Sequence, residues 1–80
     1  MKIEIITPEK KLYQGDVKLV RVPGTRGSFE ILHNHAPIIS TLEKGTIKIV
    51  SDKDDTVLID VEGGIIEVIR NNIIVLADVV

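Results

Sequence analysis

The chain has 80 residues, enough for one domain built on one core, and at this size only roughly 60 to 65% of the unfolded surface can be buried. Ten basic and twelve acidic residues leave a net charge of −2, with the basic ones scattered, which excludes the concentrated positive field of a nucleic-acid binder. Cysteine is absent, so disulfides, thiolate metal sites and cysteine nucleophiles are excluded, and stability rests on packing.

Fourteen Ile and ten Val stand against one Phe, one Tyr and no Trp. β-Branched side chains suit a pleated sheet better than a helix, so the expected class is all-β. No apolar run approaches the roughly 20 residues that span a bilayer, and Met1-Lys2 leads straight into Ile3-Glu4-Ile5-Ile6 without a signal-peptide layout. The expectation is a soluble, intracellular chain with no direct membrane insertion.

In chain order, Ile3 to Thr7 largely alternates and reads as a strand; Pro8-Glu9-Lys10-Lys11 is a turn; Leu12-Tyr13-Gln14 is a short strand closed by Gly15-Asp16. Val17 to Val22 sets Val17 and Leu19 on one face and Val20 and Val22 on the other, so both faces want cover until Pro23-Gly24 ends the run. Gly27 to Leu32 is the next strand. His33-Asn34-His35-Ala36-Pro37 is a loop, because Pro37 biases Ala36 to an extended conformation and Asn34 tolerates a left-handed one.

Strands over Ile38 to Leu42 and Thr46 to Val50 are divided by Glu43-Lys44-Gly45. The charged Asp52-Lys53-Asp54-Asp55 is an exposed turn leading into Val57, Ile59 and Val61, which share a face. Glu62-Gly63-Gly64 breaks that strand, Ile65 to Arg70 forms the next, and Asn71-Asn72 connects tightly into Ile73-Ile74-Val75-Leu76-Ala77, a run with no polar face. Short strands without a helical stretch predict a sandwich of two antiparallel sheets or a flattened barrel, as a single domain over residues 1–80.

No residue set composes an active site. His33 and His35 lie two apart but lack the further ligands a metal needs, and the letters His-Asn-His name a nuclease motif that depends on a longer hairpin and helix. Gly24-Thr25-Arg26-Gly27 has the spacing of a nucleic-acid backbone clamp, yet strands rather than helices flank it, so a plain turn is the better reading. Asp52, Asp54 and Asp55 resemble the start of a calcium loop, but Val57 stands where the turn glycine belongs and Gly63 where the bidentate glutamate belongs. Glu30, Asp60, Glu62 and Glu67 cannot be paired as acid and base by spacing. Taken alone, His35 reads as a loop imidazole bonded to backbone. The excess of apolar residues on both faces of several strands is the main functional clue, and it points to a protein partner.

Val22-Pro23-Gly24-Thr25-Arg26-Gly27, Phe29-Glu30-Ile31-Leu32 and His35-Ala36-Pro37-Ile38 together resemble the central block of the epsilon subunits of rotary F-type ATP synthases. Thr7-Pro8, Tyr13-Gln14-Gly15, Leu42-Glu43-Lys44-Gly45, Gly63-Gly64 with Glu67-Val68, and Val75-Leu76-Ala77-Asp78 extend the resemblance from about Ile5 to Val79. It implies a β-sandwich of about ten short, mainly antiparallel strands. It also implies a non-catalytic rotor subunit without cofactors that binds the gamma subunit and the polar loops of the c ring, coupling proton or sodium flow to ATP synthesis. The implied location is peripheral, on the cytoplasmic face of the bacterial inner (plasma) membrane. Longer family members continue into a helical hairpin that restrains hydrolysis, so this short form is expected to lack hairpin inhibition.

The resemblance also supplies interface candidates: Ser28, Glu30, His33, Asn34, His35 and Ser40. Ser28 stands where an acidic residue is common, Glu30 where glycine is usual, and His33-Asn34 where Pro-Gly is usual, all in the ring-facing region. Two residues apart on a strand, Glu30 could restore the carboxylate that Ser28 lacks. His35 matches the family's histidine at the gamma-facing end of the loop, which makes an interface contact its expected role. The alternative is an independent small-ligand-binding sandwich, which the scarcity of aromatic stacking platforms disfavours.

Overall fold

A computed structural model describes residues 1–79, and among these it contains eight strands and no helix. The strands are β1 (Lys2–Ile6), β2 (Lys11–Val22), β3 (Phe29–Leu32), β4 (Ile38–Leu42), β5 (Gly45–Ser51), β6 (Thr56–Val61), β7 (Gly63–Ile69) and β8 (Asn72–Asp78). The all-β expectation holds, with eight strands rather than about ten. One reason is visible in β2, which runs unbroken through Gly15-Asp16 where two strands were expected.

The sheet path is β4-β7-β8-β1-β2-β5-β6, with β3 also on β2. β2 folds this path into two layers. Its first half pairs with β1, from Lys2 opposite Asp16 to Ile6 opposite Lys11. Its second half pairs with β5 on one side and β3 on the other, so Arg21 lies opposite both Lys48 and Glu30. Gly15-Asp16 thus marks the corner between layers rather than the end of a strand. β1 and β8 form a parallel pair, Ile3 opposite Ile73 and Ile5 opposite Val75, beside otherwise antiparallel neighbours.

Two local departures decide which residues point inward. The β2–β5 register slips between Val17 and Leu19, leaving Lys18 as the extra residue of a bulge. Val17 therefore joins Val20 and Val22 in the core while Leu19 stays half-buried, correcting the sequence-based pairing of Val17 with Leu19. Gly63 and Gly64 are not a break but the first residues of β7, with Gly64 held between Leu42 and Ala77. The turn into β8 is Arg70-Asn71 rather than Asn71-Asn72; both have positive φ, 48° and 61°, as a two-residue type I′ hairpin requires.

The core between the layers is entirely aliphatic. Ile3, Ile5, Val20, Ile31, Ile47, Ile49, Ile66, Val68, Ile73 and Val75 are buried, and no polar or charged residue is buried among the described residues. Each such side chain contributes about 2 kcal/mol by leaving water.

Candidate protein-docking site

Alternation along β7 and β8 sends Ile66, Val68, Ile73, Val75 and Ala77 inward and their neighbours outward. Because Ile65, Ile69, Ile74 and Leu76 among these outward neighbours are also aliphatic, the layer containing β1, β4, β7 and β8 has a largely apolar outer face, interrupted by Glu67. Ile39 is 72% exposed, Leu76 52%, Ile69 47%, Ile65 45% and Ile74 40%. Register makes the patch continuous: Ile65 lies opposite Leu76, and the next outward row runs Ile39, Glu67, Ile74, Glu4. Toward β1 and β2 the face becomes polar, with Lys2, Glu4, Gln14 and Asp16; Lys11 Nζ bonds Glu4 Oε2 at 2.9 Å. Pro37, Ile39, Glu67 and Ile69 border a shallow depression of about 330 Å³.

The six interface candidates do not form one patch. Ser28 is exposed between the Gly24–Gly27 turn, closed by Gly27 N–H donating to Gly24 O at 2.9 Å, and the start of β3. Glu30 lies on the outer face of the other layer, where its Oε2 accepts from Arg21 Nη2 at 2.9 Å, so its carboxylate already has a partner.

His33, Asn34 and His35 sit at the opposite end of β3 from Ser28. Asn34 has φ 64°, and His35 N–H donates to Leu32 O at 3.1 Å, closing a turn. Asn34 N–H donates to Asn71 Oδ1 at 2.6 Å and Asn71 Nδ2 donates to Asn34 Oδ1 at 2.9 Å, a reciprocal clasp between this loop and the β7–β8 turn. His35 Nδ1 donates to Ala36 O at 2.6 Å, which leaves Nε2 as the nitrogen a partner could meet. Ser40 is half-buried on the inward side of β4, opposite the core residue Ile66, and its hydroxyl donates to Thr41 O at 3.2 Å.

No group of three His, Asp or Glu residues placed to hold a metal occurs among the described residues. The Asp52–Asp55 segment is a turn in which Ser51 Oγ accepts from the N–H groups of Lys53 and Asp55, and Asp54 pairs with Lys18. What the chosen candidates omit is the Ile39, Ile65, Ile74 and Leu76 face. The all-apolar Ile73–Ala77 run signals it, but only pairing with β4 and β7 turns that run into a surface.

The model of the family described as "ATP synthase, Delta/Epsilon chain, beta-sandwich domain" matches residues 1–80. ATP synthase epsilon chain 2 of Ralstonia nicotianae is 38% identical over 98% of this chain and 56% of its own length. The epsilon chain of Leptospira interrogans is 45% identical over 98% of this chain and 61% of its own, and that of Caulobacter vibrioides 35% over 98% and 90%. The chain thus spans little more than half of the first two relatives. Among solved structures, a chain of the Euglena gracilis mitochondrial ATP synthase OSCP/F1/c-ring structure superposes with TM-score 0.87, at 13% identity over 94% of this chain and 48% of that one. A chain of the Tetrahymena thermophila mitochondrial ATP synthase central stalk/c-ring structure gives 0.81, at 18% identity over 98% and 63%. These likenesses are of fold alone, whereas the family model and the bacterial relatives match in sequence along nearly the whole chain. Two-layered, aliphatic throughout its core and matched from end to end, the chain belongs to the family of the ATP synthase delta/epsilon chain β-sandwich domain.

Proposed function

We propose that this domain is a non-catalytic part of the central stalk of a proton- or sodium-driven ATP synthase, docking the gamma subunit through the outer face of β4, β7 and β8. The observation that carries this reading is the patch of exposed Ile39, Ile65, Ile69, Ile74 and Leu76 that strand register gathers on one face. Fully covering five half-exposed aliphatic side chains yields about 5 kcal/mol gross, before the costs of association. The relatives named as epsilon chains and the neighbour from a central stalk support the assignment.

The ends of β3 divide the remaining contacts. The Ser28 end faces the polar loops of the c ring, and His35, with Nε2 free, lies toward gamma. The domain sits peripherally on the cytoplasmic face of a bacterial inner (plasma) membrane. Among the described residues no helix is long and apolar enough to cross a membrane. A rigid sheet of β-branched residues suits a part that transmits torque.

Co-expression with the cognate gamma subunit tests the reading. The wild-type chain should co-purify with gamma, and Leu76→Asp, an outward position, should weaken the pair about a hundredfold while the far-UV circular dichroism spectrum stays unchanged. Undiminished gamma binding by Leu76→Asp would place the contact elsewhere and defeat the proposal.

A further inference from the structure

Glu67 stands at the centre of the apolar face. Directly across from it are Ile39 on β4 and Ile74 on β8, and two residues to either side along β7 are Ile65 and Ile69. Isoleucine therefore adjoins this carboxylate in both directions along the strand and in both directions across the sheet. The nearest carboxylate in the same row, Glu4, is paired with Lys11, whereas Glu67 has no ion pair among the described residues. It also forms the acidic rim of the depression bordered by Pro37, Ile39 and Ile69.

A partner that covers Ile39, Ile65, Ile74 and Leu76 must also cover Glu67. Under a wholly apolar partner the carboxylate would lose its water without compensation, which is strongly unfavourable. We propose that Glu67 selects the partner: the segment docking on this face carries a lysine or arginine whose aliphatic stem lies over Ile39 and Ile69 and whose cation pairs with Glu67. The proposal rests on the docking face assigned above and adds the chemistry of its occupant. Apolar side chains around the cation would meet the isoleucines, and the stem of a long basic side chain suits a shallow apolar depression with an acidic rim. The competing role for Glu67 is that of a solubilising charge that keeps an apolar sheet face from associating indiscriminately.

Binding of the purified chain to the cognate gamma subunit distinguishes these roles, with Glu67→Gln, Glu67→Lys and Leu76→Asp compared at low and high salt. The expected result is a roughly tenfold loss for Glu67→Gln with a shallower salt dependence, and about a hundredfold loss for Glu67→Lys. Wild-type or tighter affinity for Glu67→Gln, alongside loss of binding by Leu76→Asp, would overturn the ion pair and leave the docking face standing. Full binding by Leu76→Asp would remove the docking face and the ion pair together.

Discussion

Replacing Gly64 with alanine would direct a methyl group onto the backbone carbonyl oxygen of Leu76 and bring it to 3.2 Å from Ala77 Cα. Both obstacles belong to β8, held in register by the pairing of Gly64 with Ala77, so neither can rotate away. The position also has φ 153°, which side-chain-bearing residues rarely adopt. Backbone strain of about 2 kcal/mol and overpacking of similar size, less the fraction of a kcal/mol gained from a stiffer unfolded chain, give a net loss of about 3 kcal/mol. A domain of this size has a total of about 8 kcal/mol, so the melting temperature should fall by about 15 °C. Gly27 provides the control: at φ 121° it shares the strain, but nothing lies within 4 Å of its added methyl group. Gly27→Ala should therefore cost only about 1 kcal/mol. Urea unfolding followed by far-UV circular dichroism measures both. If Gly64→Ala loses no more than Gly27→Ala, close approach of β7 to β8 is not what requires glycine there.

Two further outcomes concern the loops and the opposite face. Asn71→Gly keeps a residue that tolerates φ 61° but removes both side-chain bonds to Asn34, so stability should fall by about 1 kcal/mol and the Asn34 amide should exchange faster with solvent. An unchanged exchange rate would mean that the clasp does not hold the loop. Glu30→Lys should leave the domain folded, since it exchanges an exposed ion pair with Arg21 for an exposed like-charge contact, yet weaken association with the c ring by about 1 kcal/mol. Undiminished co-purification with the ring would count against Glu30 as a ring contact.

Much of this molecule follows from local pattern. The β-branched composition specifies sheet, Pro23-Gly24 and Asp52–Asp55 mark turns, and the motifs around His35-Ala36-Pro37 mark the family, because turn chemistry and side-chain alternation act over a few residues. The Ile73–Ala77 run likewise announces its lack of a polar face before any pairing is known. Other features depend on which strand lies beside which. Gly15-Asp16 reads as a stop by composition, yet β1 on one side and β5 beyond it carry β2 through the corner. Simple alternation pairs Val17 with Leu19, but one extra residue at Lys18 reverses the face, since side chains repeat every two residues. Gly63-Gly64 looks like a break and is instead the start of β7, where the β8 backbone leaves no room for a side chain at Gly64. The candidate site divides the same way. Ser28, Glu30 and His35 are close in sequence but spread from one end of β3 to the other, and Glu30 is taken up by Arg21. Ile39, Glu67 and Ile74 are distant in sequence and meet only because β7 pairs with both β4 and β8. Local pattern specified the sheet, the turns at Pro23-Gly24 and Asp52–Asp55, and the family. Long-range register decided which isoleucines became core and which became a surface, because sequence spacing alone does not set the order of the strands.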